Sequence, residues 1–193
     1  MAKRTSPGDI GDAPPSTARD PNPAATGLVN ITSDDELVER TVTIDRPREE
    51  LYAFWRDFTN LALFMENIAS VTVIDPLRSH WVVKAPADAT VEWDSIITED
   101  IPGEVIAWST AEGADVPNSG RIEFRDTTNG RGTMVTATIA YDPPAGAIGK
   151  LFAKIFQREP NIQARRDLRR FKQLMETGEI ATSAPPFAAP RGE

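Results

Sequence analysis

The sequence predicts an α+β domain: a seven-stranded antiparallel sheet with two short helices after the first strand and a long helix at the C-terminal end. Three observations carry this. Short segments alternate apolar and polar side chains, the signature of half-buried strands. Pro, Gly and Asn turn signals separate them. The apolar period lengthens to that of a helix in two places only, directly after the first strand and close to the C-terminus.

The first strand is Val38 to Ile44, with Val42 and Ile44 on one face and Thr41 and Thr43 on the other. Asp45 and Pro47 then open a helix, since proline is favoured in a first helical turn, and Glu49 and Glu50 suit the positive end of its dipole. Leu51, Phe54, Trp55 and Phe58 form its apolar stripe. Thr59 or Asn60 is expected to cap a second short helix with the stripe Leu61, Phe64, Met65 and Ile68. Six more strands follow: Val71–Ile74, His80–Ala85, Val91–Glu99, Val105–Thr110, Arg121–Arg125 and Thr133–Tyr141. Pro102-Gly103 marks a type II turn, and Asn129-Gly130 marks a hairpin. The last element carries Ile148, Leu151, Phe152, Ile155 and Phe156, is interrupted at Pro160, and continues through Ile162, Leu168, Phe171, Leu174 and Met175 to a C-cap glycine at Gly178.

Proline-rich ends flank this pattern. Residues 1–34 and 179–193 read as disordered tails, because so few large apolar side chains cannot offset the entropy of ordering them. Residues 35–178 read as one domain of about 140 residues, large enough to bury a core without metal or disulfide staples.

Composition narrows the function. The net charge of -8 disfavours a grip on phosphate backbones, so no nucleic-acid partner is expected. The absence of cysteine excludes disulfides, thiolate-bound zinc, iron–sulfur clusters and thiol catalysis. With a single histidine, His80, neither a multi-histidine metal site nor a Ser-His-Asp triad is expected. No apolar run approaches the roughly 20 residues that span a bilayer, and Met1-Ala2-Lys3-Arg4 is not followed by the apolar stretch of a signal peptide. A cytoplasmic protein is expected.

The order of elements resembles the helix-grip fold of the START-like SRPBCC superfamily. Val42-Thr43-Ile44-Asp45-Arg46-Pro47 leading into Leu51-Tyr52-Ala53-Phe54-Trp55-Arg56-Asp57-Phe58 is similar to its opening strand and helix. Trp93, Pro102-Gly103 and Ile106-Ala107-Trp108 resemble its central hairpin, and Arg169 to Glu176 resembles the final helix of bacterial polyketide cyclase/dehydrase members. The resemblance implies a curved sheet gripping the C-terminal helix, a hydrophobic ligand between them, and no metal or redox cofactor. It extends over about Leu37 to Gly178.

A hollow under a curved sheet would be lined by the inner strand faces. Alternation places Val91, Trp93, Ser95 and Ile97 on one such face, with Ile106 and Trp108, Ile122 and Phe124, and Val135, Ala137, Ile139 and Tyr141 on others. The helices add Phe54, Phe58, Phe152, Phe156 and Phe171. The ligand-binding candidates are therefore Phe54, Phe58, Trp93, Ile97, Trp108, Phe124, Ile139, Tyr141, Phe152, Phe156 and Phe171, each of which would equally suit a filled core. Ligand pockets of this kind typically measure about 300–1,000 Å3.

Candidate chemistry is sparse. Glu92 and Asp94 share a strand face and would form an acid–base pair if that face were concave, but Trp93 would then face solvent, so an outward orientation is expected. Tyr141 is a candidate proton donor. Arg121, Glu123 and Arg125 read as exposed cross-strand partners, and His80 as a surface histidine. Between Lys150 and Lys172 eight basic residues stand against two acidic ones. That basic face complements an acidic sheet, or offers transient contact with an anionic membrane.

Three functions fit. The favoured one is a carrier that binds a hydrophobic small molecule (a lipid, a quinone or a polyketide-like ring) by apolar burial, at roughly 25 cal/mol per Å2. The second is a polyketide cyclase or dehydratase that folds a flexible chain into a reactive conformer, with Tyr141 and Asp94 or Glu92 assisting proton transfer. The third is an interaction module with a closed pocket. An enzyme needs at least two ionisable groups converging inside the hollow, whereas a carrier needs none.

Overall fold

The computed structural model describes residues 36–85, 88–112, 114, 117–141 and 160–180. Both expected tails lie largely outside these residues, as do Phe152 and Phe156 and the side chain of Tyr141.

Seven strands form one antiparallel sheet: β1 Glu36–Ile44, β2 Ile68–Val73, β3 Arg78–Lys84, β4 Thr90–Ile101, β5 Val105–Thr110, β6 Asn118–Asp126 and β7 Thr133–Tyr141. The spatial order is β1-β7-β6-β5-β4-β3-β2, so every neighbour from β2 to β7 is a hairpin partner and the first strand closes on the last. Val42 faces Val135 across β1 and β7, and Trp81 faces Trp93 across β3 and β4. The register shifts between Ile68 and Ser70 and between Ile97 and Glu99. Each such irregularity bends its strand and adds twist, which helps curl the sheet.

Turn chemistry follows the expectation. Gly103 has φ +74°, and the Glu104 amide donates to the Ile101 carbonyl at 2.9 Å, closing the turn between β4 and β5. Gly132 has φ +75°, and a Cβ there would stand 2.1 Å from the Ile44 carbonyl oxygen, so the loop before β7 needs glycine on both counts.

Between β1 and β2 lie α1 (Arg48–Arg56), a 3-10 turn (Phe58–Asn60) and α2 (Leu61–Phe64). Leu51 and Trp55 carry the buried face of α1, and Phe54 is only half-buried. The second helix is shorter than its stripe suggests. After one turn the chain straightens at Met65, and Ile68 becomes the first residue of β2. Asn60 stands at its N-cap, as one of the two expected positions, but its side chain donates to the Phe54 carbonyl at 3.0 Å rather than capping, while Asp57 caps the 3-10 turn by accepting from the Thr59 amide at 3.1 Å.

The C-terminal helix α3 spans Pro160–Thr177. Pro160 is its first described residue. Gly178, at φ +76°, closes it by donating to the Leu174 carbonyl at 2.8 Å. Ala164, Asp167, Leu168 and Phe171 are buried against the sheet. Ile162, expected on that stripe, is instead exposed, because it falls outside the face that Leu168 and Phe171 define. The concave side of the sheet and α3 enclose one core that includes Trp55, Phe64, Phe124 and Phe171. Among the described residues, no helix is long and apolar enough to cross a membrane.

Candidate functional site

Aromatic rings from the middle strands and the helices crowd the concave side, but they do not fill it evenly. Around Phe171 the rings interlock: Trp55 and Phe64 each lie 5.0 Å from it between centroids, and Phe54 lies at 5.9 Å. Around the middle strands three indoles lie nearly parallel, Trp81 being 6.4 Å from both Trp93 and Trp108 with interplanar angles of 13° and 17°. Phe58 meets Trp81 and Trp108 edge-on. A Cβ at Gly120 would come within 2.2 Å of the Trp108 ring, so glycine on β6 is what lets that indole lie flat on the neighbouring strand.

Beside the indoles, under the first half of α3, the packing leaves a cavity of about 140 Å3. Trp81, Val83, Trp93, Trp108, Asn118, Ala137 and Ile139 form its sheet wall, with Val38 at the β1 edge. Trp55, Leu61, Met65, Asn67 and Ile68 form one side, and Gln163, Ala164, Asp167 and Leu168 of α3 form the roof. It is smaller than the expected pocket because the three indoles and Phe58 occupy much of the space beneath the sheet.

Three of the sequence candidates, Trp93, Trp108 and Ile139, stand in this wall. Phe58, Ile97, Phe124 and Phe171 are buried in the surrounding core, and Phe54 packs half-buried on Phe64 and Phe171. Glu92 and Asp94 do not reach the cavity. They lie on the outer face beside His80, whose Nδ1 is 2.8 Å from Asp94 and whose Nε2 is 3.4 Å from Glu92. The hydrogen bond with Asp94, helped by Glu92, raises the His80 pKa against a smaller opposing effect of burial.

Arg121 departs from its expected exposure. It is only 5% exposed, lies along the outer face of β6, and pairs with Glu99 and Glu123. The basic face of α3 is partly engaged. Arg166 and Arg170 both reach Glu66, and Lys172 pairs with Glu176 at 2.7 Å, while Arg165 and Arg169 are exposed.

The residue that sequence reasoning missed is Asp167. It sits on the buried face of α3, 9% exposed, in the roof of the cavity, with its Oδ1 accepting from Gln163 Nε2 at 2.9 Å. Burial pushes its pKa up to about 7, and Glu66 adds to the rise; Gln163, Arg170 and Arg166 oppose it. A signal was present, since Asp167 stands three residues after Ala164 and four before Phe171, on the stripe rather than opposite it. Trp55, Trp81 and Ala164 are further lining residues that were not singled out.

Chemically the site is a largely apolar hollow, with Asp167 the one ionisable group among its described lining residues. It offers indole faces, a carboxyl that can hold or release a proton near neutral pH, and the amides of Asn67, Asn118 and Gln163. Among the described residues, no cluster of His, Asp and Glu has the makings of a metal site.

Comparison with known proteins places this geometry. A solved protein of Deinococcus radiodurans is 41% identical, with the match covering 75% of this chain and all of that one at a TM-score of 0.62. An aromatase/cyclase, Zhui, from a Streptomyces species shares the fold at 17% identity and a TM-score of 0.58, over 76% of this chain and 99% of that one. An uncharacterized 17.2 kDa protein of Streptomyces lincolnensis is 27% identical over 140 residues, 72% of this chain and 89% of its own. The model of one family, described as polyketide cyclase/dehydrase and lipid transport, matches residues 44–169. That span runs from the end of β1 into α3 and takes in the indole wall and Asp167, and the chain belongs to this family.

Proposed function

We propose that this protein is a cytoplasmic carrier that binds a small hydrophobic molecule between the concave sheet and α3, without transforming it. The observation that carries the reading is the composition of the hollow: about 140 Å3, walled mainly by apolar and aromatic side chains, with Asp167 as the one ionisable group among its described lining residues. Proton-transfer catalysis on a ring or chain substrate calls for an acid and a base placed together, and Glu92, Asp94 and His80 stand on the opposite face of the sheet. Burial of a ring against Trp81, Trp93 and Trp108 supplies affinity without chemistry.

Cyclase-type catalysis is the second reading. The observation in its favour is the Asp167 pKa of about 7, which suits a group that must both accept and donate a proton near neutral pH.

Extraction of the purified protein with organic solvent, followed by mass spectrometry, tests both. The carrier reading expects an apolar compound in near-stoichiometric amount, recovered unchanged after it is returned to stripped protein. Recovery of an altered compound overturns it in favour of the enzyme. A protein that retains nothing and excludes the dye ANS and other apolar probes is an interaction module instead.

A further inference from the structure

The hollow is rich in one kind of surface and short of one kind of charge. All four tryptophans of the chain, Trp55, Trp81, Trp93 and Trp108, stand in its wall. Trp81 lies nearly parallel to both Trp93 and Trp108, and the Trp108 ring lies flat on the backbone of Gly120, leaving no room there for a Cβ. One face of that indole rests on the sheet, and the other is turned to the hollow. The face of an aromatic ring carries the negative part of its quadrupole, and of the aromatic side chains indole attracts a cation most strongly.

The missing charge is a partner for Asp167. This residue is 9% exposed, stands in the roof, and accepts a hydrogen bond from the neutral amide of Gln163. Among the described residues, no Lys, Arg or His pairs with it: the nearby guanidinium groups of Arg166 and Arg170 are both held by Glu66. A buried carboxylate is ordinarily paired with a cation, because its lost hydration is otherwise not replaced. Burial without such a partner lifts the Asp167 pKa to about 7. The amides of Asn67, Asn118 and Gln163 are neutral and can meet a ligand of any charge, so the ring faces and the carboxyl set its sign.

We propose that the ligand of this hollow is a small organic cation bearing an alkylated ammonium group, seated against the indole faces with the Asp167 carboxylate as its counter-charge. The inference rests on the carrier reading and names its ligand class. An alkylated ammonium suits the site twice. Its carbon groups bury as a hydrocarbon does, and its charge is the one that both the rings and the carboxylate attract. The volume of about 140 Å3 is close to the roughly 150 Å3 of an apolar cavity known to take up one benzene ring, room for about one such head group with a short arm. An anionic ligand would meet the same rings and the same carboxylate with the wrong sign.

Titration calorimetry of the full chain at pH 8 tests this with three probes of one shape and different charge: choline, 3,3-dimethylbutan-1-ol and 3,3-dimethylbutyrate. Choline should bind at least about tenfold tighter than the alcohol, and the butyrate weakest of the three. At pH 6 choline should bind about tenfold more weakly than at pH 8, the ratio of ionised Asp167 at the two values, while the alcohol is unaffected. Asp167→Asn should bring choline down to the affinity of the alcohol while the alcohol binds as before, which also shows that the variant has folded. Incubation with vesicles of dioleoylphosphatidylcholine separates two sources of the same chemistry: lipid carried off by the protein marks a lipid headgroup, and choline binding without it marks a free amine. Equal or tighter binding of the alcohol in the wild-type protein overturns the proposal and leaves the carrier reading standing. So does undiminished choline binding in Asp167→Asn, or binding of palmitate or ANS when neither choline nor the alcohol binds. If choline, the alcohol, palmitate and ANS are all excluded, the carrier reading fails, and this inference fails with it.

Discussion

The two halves of the concave face are built from the same kinds of residue and end differently. Under the second half of α3, Phe171 wedges between Trp55, Phe64 and Phe54 and the space is closed. Under the first half, Gln163, Ala164 and Asp167 hang over Trp81, Trp93 and Trp108, and a hollow remains. Rings surround both, from α1 and α2 around Phe171 and from β3, β4 and β5 around the hollow. What differs is the helix: two turns from Phe171, the roof narrows to an alanine. The lesson is that one helix sets where a binding site lies by the sizes of the side chains along its buried face. Packed interiors close like a jigsaw wherever volume suffices and stay open where it does not.

That contrast can be broken from either side. The largest effect is expected from Phe171→Ala, which removes the wedge from the closed half. Truncating a fully buried phenylalanine costs about 3–5 kcal/mol, so urea unfolding should show a loss of that order, and a second hollow should open that takes up an aromatic probe. An unchanged midpoint would mean that the rings collapse to refill the space.

Removing the charge from the hollow comes next. Asp167 is held at about 7, above the ordinary carboxylate value, mainly by burial. A group whose folded pKa is raised binds its proton more tightly when folded. Its contribution is therefore fully present below the unfolded value near 4 and is lost as pH climbs through about 7. Wild-type stability should fall over this window by an amount on the order of a few kcal/mol, and Asp167→Asn, which can still accept from Gln163, should largely flatten the fall. His80 works in the same direction. Its pKa is raised by Asp94 first, so its contribution is present below its unfolded value and is lost as pH rises through the folded one. Being more than a third exposed, it should account only for a shallow slope that remains in Asp167→Asn and disappears when His80→Gln is added. Parallel pH profiles for the wild type and Asp167→Asn would show that the carboxyl is not held as described.

The smallest change in stability is expected from making the open half resemble the closed one. Ala164→Leu adds carbon to the roof, where about 140 Å3 is available, and should raise stability by about 1–2 kcal/mol, a typical gain for filling a cavity. The same variant should lose aromatic-probe binding altogether. Gain of stability with binding intact would place the ligand elsewhere.

Much of this was legible before any coordinates. The order of strands and helices followed from period and turn chemistry, and the inner face of β4 followed from alternation: Val91, Trp93, Ser95 and Ile97 are all buried. The outward placement of Glu92 and Asp94 followed from the same rule read the other way. Asp167 was harder. With Arg165, Arg166, Arg169 and Arg170 around it, an aspartate on a helix reads as a surface ion-pair partner. Arg166 and Arg170 instead reach Glu66, leaving Asp167 under the helix with Gln163. Arg121 hid in the opposite sense, a charged residue buried on an outer face because Glu99 and Glu123 flank it. In both cases the partner is distant in the chain or chosen by geometry, which local pattern does not encode.

By itself, then, the sequence determined which elements form, where they turn and which strand faces look inward, because dihedral preference and hydrophobic period are local properties of the chain. Only the tertiary structure decided that the inner face would close at one end and stay open at the other, and that the Asp167 carboxyl would hang in the opening. Those outcomes depend on how volumes from β3, β4, β5, α1 and α3 add up in three dimensions, a sum in which residues far apart in the chain meet.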